Sequence, residues 1–130
     1  MNFIASVNPV LYLGATPIFV GSEKETWNLC PIALEEAILN RLENGIKPKA
    51  ILVVHLYGQS AEMDKIIDIA ESKNLYVIED CAQSHGAKFK GNITGTFGIM
   101  GCFSFYCGWI YNDFVSLSLN VFGSCYIVNG

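Results

Sequence analysis

The clearest pattern lies in the middle of the chain. Ala50-Ile51-Leu52-Val53-Val54-His55 is an almost unbroken apolar run rich in β-branched residues, as expected of a strand covered on both faces in a parallel sheet. Leu75-Tyr76-Val77-Ile78 is a second run of the same kind and predicts another strand. Between them Met63, Ile66, Ile67 and Ala70 recur at helical spacing, with Glu62, Asp64, Lys65, Asp68 and Glu71 on the opposite side. This predicts an amphipathic helix, with Ser60 as its cap. Strand, helix and strand joined by the short turns Tyr57-Gly58 and Lys73-Asn74 form a βαβ unit, and the fold class follows as α/β with a parallel sheet.

The flanking segments extend this reading. A short helix is expected from Asn2 as N-cap, with Phe3, Ile4, Val7, Val10 and Leu11 at helical spacing until Gly14 stops it. Pro17-Ile18-Phe19-Val20 predicts a short strand. Pro31 suits the first turn of a helix carrying Glu35, Glu36, Leu34, Ile38 and Leu42, which ends at Gly45. Beyond the βαβ unit, Gly86 through Gly101 reads as a glycine-rich connection leading to a strand Cys102-Phe103-Ser104-Phe105-Tyr106. Gly95, Gly98 and Gly101 match neither a Walker loop nor a dinucleotide fingerprint, so they signal turns.

In open parallel sheets ligands bind beyond the carboxyl ends of the strands. The residues there are Glu79-Asp80-Cys81-Ala82-Gln83, which read equally well as a site or as a solvated strand end.

Composition narrows the function classes. The chain has 130 residues, 52% hydrophobic and 15% charged, with mean hydropathy +0.36, which excludes intrinsic disorder and suits one domain. The net charge of −4, with no basic run, argues against a nucleic-acid partner. All 8 Lys and Arg residues lie at or before Lys90, and Asp113 is the one charged residue after it. The apolar stretch Phe114 to Val128 is interrupted by Ser116, Ser118, Asn120, Gly123 and Ser124, and falls short of the roughly 20 residues that span a bilayer. No membrane segment is therefore expected, and the opening residues do not resemble a secretory leader, so the expected location is cytoplasmic. Cys30, Cys81, Cys102, Cys107 and Cys125 are irregularly spaced, without a Cys-x-x-Cys pair, and read as free thiols with no metal site.

Several segments occur in an order that identifies a resemblance. They are Phe3-Ile4-Ala5-Ser6-Val7-Asn8-Pro9, Gly14-Ala15-Thr16-Pro17-Ile18-Phe19-Val20, Val54-His55-Leu56-Tyr57-Gly58-Gln59, Ile78-Glu79-Asp80-Cys81-Ala82-Gln83-Ser84-His85-Gly86-Ala87 and Gly101-Cys102-Phe103-Ser104-Phe105-Tyr106. Together they resemble the DegT/DnrJ/EryC1/StrS family of nucleotide-sugar aminotransferases. The resemblance implies part of the large cofactor domain of a fold type I pyridoxal 5'-phosphate enzyme, a parallel-sheet α/β/α sandwich. It implies transfer of an amino group from glutamate to a keto nucleotide-sugar, in a homodimer. Asp80 matches the aspartate that pairs with the pyridine nitrogen of the cofactor, Gln83 a residue beside its phenolic oxygen, and Ser104 a hydroxyl that binds its phosphate. His55 and His85 also stand in matching motifs, where a buried, hydrogen-bonded histidine is the expected role for each.

The resemblance stops where the family places its Schiff-base lysine. That position holds Trp109 in the segment Cys107-Gly108-Trp109-Ile110, and indole is neither a base nor an amine. Residues 1–106 are thus expected to be a partial cofactor domain, and residues 107–130 a divergent tail from a frame disruption or truncated gene. The expectation is a central fragment without transaminase activity, oligomeric or prone to aggregate through open strand edges. The alternative is a non-catalytic fragment that pairs with another chain.

Overall fold

The computed structural model describes residues 6–105 and 126–129. In chain order the elements are α1 (Asn8–Tyr12), β1 (Thr16–Phe19), α2 (Pro31–Glu43), β2 (Ala50–Val54), α3 (Met63–Lys73), β3 (Tyr76–Asp80), β4 (Lys88–Phe89), β5 (Asn92–Ile93), β6 (Met100–Cys102) and β7 (Tyr126–Asn129). The main sheet runs β1-β7-β2-β3-β6, and β4 and β5 form a separate antiparallel hairpin. β2, β3 and β6 pair in parallel, whereas β7 is antiparallel to both β1 and β2, so β1 runs the same way as β2.

Side-chain alternation along β2 and β3 gives the sheet two different faces. Ile51, Val53 and Val77 pack with Leu34 and Ile38 of α2 and with Met63, Ile66 and Ala70 of α3 into the main core. Leu52 and Ile78 point the other way and meet Val7, just before α1. Leu34, Ile38, Ile51, Val53, Met63 and Ile66 are fully enclosed. Each such side chain contributes roughly 1.5–3 kcal/mol of burial.

Helix boundaries follow local chemistry. α2 opens with Pro31 in its first turn, where the missing N–H costs nothing, and Gly45 takes a positive φ of 75° just after its end. α3 ends at Asn74 in the left-handed conformation. Ser60 is not its cap: its hydroxyl donates to the Ala61 carbonyl, and Glu62 stands at the boundary. The Ala61 N–H is held by His55 Nδ1, so the backbone there is committed before the helix starts. α1 is shorter than expected and begins at Asn8, with Pro9 in its first turn. Asn2 lies outside the described residues.

β3 reaches past Ile78 to include Glu79 and Asp80, and both are buried. A solvated strand end is thereby excluded. The strand expected over Cys102–Tyr106 instead lies at Met100–Cys102. The Cys81 N–H donates to the Cys102 carbonyl beyond the end of β3, and Phe103 to Phe105 leave the sheet. Tyr106 lies outside the described residues. The expected boundary at residue 106 falls in that undescribed stretch, and β7, from beyond it, joins the main sheet.

The connection into β6 lies directly on the β3 backbone. Ile99 donates to the Val77 carbonyl at 2.8 Å, and a Cβ added at Gly98 would sit 2.2 Å from that same oxygen. Gly98→Ala should therefore lower stability by about 3 kcal/mol. Gly86 has a φ of +72° with nothing within 4 Å of an added Cβ, and Gly86→Ala should cost only about 1 kcal/mol of backbone strain. Urea unfolding midpoints of the two variants test the ordering.

Candidate functional site

The alternation of β3 sends its last two carboxylates to opposite faces of the sheet. Glu79, 0% exposed, accepts hydrogen bonds from the backbone N–H groups of Gly95 at 2.7 Å, Phe97 at 2.7 Å and Gly98 at 2.8 Å. Its fourth partner is His55 Nε2 at 3.0 Å. Burial opposes ionisation of Glu79, but the bonds from His55, Gly98, Gly95 and Phe97 outweigh it and hold the carboxyl below its ordinary value. The carboxylate thus pins the glycine connection, and with it the start of β6, against β3.

His55 is buried and fully bonded, as the sequence implied. Its Nδ1 accepts from the Ala61 N–H, so in the neutral ring the proton sits on Nε2 and is donated to Glu79. Cys81 completes a buried trio with these two residues, all ligand atoms lying within 4.8 Å of one another. Both histidine nitrogens are engaged in hydrogen bonds, and burial pushes the Cys81 thiol up to about 11.

Asp80 faces a cavity of about 540 Å³ between α1 and the sheet. Pro9, Val10 and Leu13 form one wall, and Leu52, Ile78 and Met100 the other, with Ser6 and Ser104 as polar members. Asp80 is 6% exposed, accepts from the Ser6 hydroxyl at 2.8 Å and the Ala82 N–H at 3.0 Å, and pairs with no Lys or Arg among the described residues. Burial is the dominant influence and raises its carboxyl above the ordinary 3.8, against the bonds from Ala82 and Ser6. The cavity therefore carries a buried carboxyl group whose described donors, the Ser6 hydroxyl and the Ala82 N–H, are both neutral.

Asp80 and Ser104 share this cavity, while Gln83 is not part of its described wall. Gln83 is drawn toward the turn after β2, where its Oε1 accepts from the Tyr57 N–H at 3.2 Å. Tyr57 has a φ of 50°, a conformation unusual for a residue other than glycine. His85 is exposed rather than buried: its Nε2 donates to the Ser104 carbonyl at 2.6 Å, and its ring meets Phe103 and Phe105 edge-on. It braces the segment after β6 from outside. Trp109 lies outside the described residues.

Two participants escaped the sequence reading. Ser6 joins Asp80 across 74 positions, a contact without any local signal. The structural role of Glu79 was open to detection, because strand alternation separates it from Asp80.

Comparison with known proteins gives this arrangement a family. The model of the DegT/DnrJ/EryC1/StrS aminotransferase family matches residues 1–109. The chain belongs to that family. It is 49% identical over 106 residues to GDP-perosamine synthase of Escherichia coli O157:H7, covering 82% of this chain and 28% of that protein. It is 47% identical over 104 residues to the dTDP-3-amino-3,6-dideoxy-alpha-D-galactopyranose transaminase of Aneurinibacillus thermoaerophilus, covering 80% of this chain and 27% of that enzyme. A solved DegT DnrJ EryC1 StrS aminotransferase from Brucella abortus superposes with a TM-score of 0.78 at 40% identity, over 81% of this chain and 28% of its own. The solved relatives are pyridoxal-phosphate enzymes of fold type I, and this chain shares their α/β fold. It spans less than a third of the length of these relatives. A second model, that of the V-type ATPase 116kDa subunit family, matches residues 89–130, which is less than half of the chain. Among the described residues no helix is long and apolar enough to cross a membrane.

The two carboxylates should respond oppositely to substitution and to pH. Glu79, lowered in the fold, contributes stability that is present above its unfolded value near 4.5 and is lost as pH falls through its folded value. Asp80, raised in the fold, favours folding most below its unfolded value near 3.8, and that advantage is lost as pH rises through its folded value. At neutral pH Glu79→Gln should destabilise by about 3 kcal/mol, because an amide set against three N–H donors leaves buried groups unsatisfied. Asp80→Asn should raise the unfolding midpoint at neutral pH, with the gain vanishing in acid. Urea titrations across that pH range read both signs.

Proposed function

We propose that this chain provides part of the pyridoxal 5'-phosphate pocket of an aminotransferase acting on a keto nucleotide-sugar, with glutamate as amino donor and a homodimer as the working assembly. The observation that carries the reading is Asp80, a buried carboxylate without a cationic partner among the described residues, facing an apolar cavity. A protonated pyridine nitrogen is the donor that such a carboxylate lacks, and the cavity has room for an aromatic ring against Leu52 and Ile78. Ser6 and Ala82 orient the carboxylate by bonding one oxygen each. The Ser104 hydroxyl would take the phosphate, and the Gln83 amide would lie toward the phenolic oxygen. When bound, the cofactor supplies an electron sink for proton removal at the substrate carbon; Asp80 would keep the ring nitrogen protonated, and the apolar walls would exclude water.

Among its described lining residues this cavity has no Lys or Arg, and the position matching the family's covalent tether holds Trp109. We accordingly propose that the chain binds the cofactor without a covalent link and does not transaminate by itself. The names of the relatives and the family's membership support the substrate class, and a cytoplasmic location suits a sugar-nucleotide enzyme.

Ring-nitrogen recognition provides the test. Pyridoxal phosphate should bind at least about tenfold more tightly than its analogue with carbon in place of the ring nitrogen, and Asp80→Asn should erase that difference. Equal affinities in the unsubstituted chain would overturn the assignment. Borohydride treatment of the complex, followed by peptide mapping, should trap no single lysine stoichiometrically; one fully labelled lysine would show a covalent tether after all.

A further inference from the structure

Ser104 reaches the cavity from a stretch that the sheet no longer holds. β6 ends at Cys102, whose carbonyl accepts from the Cys81 N–H at 2.8 Å, and Phe103 to Phe105 continue outside the strand. The next fixed point is the Ser104 carbonyl, which accepts from His85 Nε2 at 2.6 Å. Phe103 lies between the two, its ring so close to Gly95 that a Cβ added there would stand 2.6 Å from Phe103 Cζ. With the carbonyls of Cys102 and Ser104 both tied, the backbone torsions between them are restricted, and with them the rotamers open to Ser104. The donor is itself well supported. His85 follows Ser84, which is buried and fastened through its N–H to the Cys81 carbonyl at 3.0 Å and through its own carbonyl to the Thr94 hydroxyl at 2.9 Å. The His85 ring meets Phe103 and Phe105 edge-on, with centroids 5.5 Å and 5.1 Å away, so its orientation is set by the residues on either side of Ser104.

We infer that His85 is a positioning residue: through the Ser104 carbonyl it orients Ser104 so that the Ser104 hydroxyl faces a phosphate group held in the cavity. The inference deepens the cofactor reading and rests on it. Among its described lining residues the cavity offers a phosphate no Lys or Arg, and the Ser6 hydroxyl donates its proton to Asp80. A hydroxyl that donates to phosphate makes a directional contact, strong only while donor and acceptor are aligned, so a small swing of Ser104 forfeits it. Asp80 is placed by a separate element, β3, and keeps its own bonds from Ser6 and Ala82. Loss of the His85 bond therefore weakens the grip on the phosphate end of a ligand and leaves the ring-nitrogen end as it was.

Pyridoxine 5'-phosphate and pyridoxine differ only in the phosphate and carry no aldehyde to react with lysine, so their affinities for the full chain isolate this contact. The unsubstituted chain should bind the phosphate ester about tenfold or more tightly than the free alcohol. His85→Phe keeps an aromatic ring against Phe103 and Phe105 but has no donor, and should bring that ratio down to about threefold or less while the affinity for pyridoxine changes by less than about twofold. His85→Gln, which retains an N–H donor at a similar reach, should recover most of the ratio. The inference is overturned if His85→Phe keeps the full preference for the phosphate ester, or if it weakens both ligands equally, as a merely structural residue would. Equal affinities or no binding in the unsubstituted chain would instead overturn the assignment of Ser104 to the cofactor phosphate, and this inference with it.

Discussion

The fold turns on one buried carboxylate. Glu79 gathers three backbone N–H groups of the glycine connection and the ring of His55, so a single side chain satisfies donors from two separate segments. Without it the connection would carry orphaned amides against the sheet, each costing about 1–3 kcal/mol. Everything placed by β6, including Ser104 at the cavity, inherits its position from this anchor. His55 extends the anchor to the start of α3 through Ala61. One hydrogen-bonded chain thereby links β2, α3, β3 and β6.

Much of this architecture was legible in the residues. The βαβ unit from Ala50 to Asp80 stands where the apolar runs and the Met63-Ile66-Ala70 spacing put it, because burial on both faces leaves an unmistakable composition. What escaped was set by long-range contact. Ser60 lost its capping role because the neighbouring N–H is claimed by His55 from a different element. The strand expected to run on to Tyr106 stops at Cys102, where β3 has no more backbone to offer it. Asp80, expected just beyond the strand, is the last residue of β3 itself, and its partner Ser6 and the turning of Gln83 toward Tyr57 depend on the closed fold. His85 looked like an interior residue from its motif, and packs from outside against Phe103 and Phe105 instead.

The loss of charge after Lys90 has a counterpart in the comparisons. Two family models meet and overlap over residues 89–109, one running back to the start of the chain and the other forward to its end. The Gly101-Cys102-Phe103-Ser104-Phe105 segment, which shapes one end of the cavity, lies inside that overlap.

The opposite facing of Glu79 and Asp80 has a consequence for how such a chain tolerates change in length. Adjacent residues of one strand divide two tasks, scaffold on one side and the polar wall of the cavity on the other, and only the two-residue period keeps them apart. A single inserted or deleted codon within β3 would turn Asp80 toward the glycine connection and Glu79 toward the cavity. Framework and pocket would then fail in the same event, so this strand admits point substitutions one task at a time but no change of length at all.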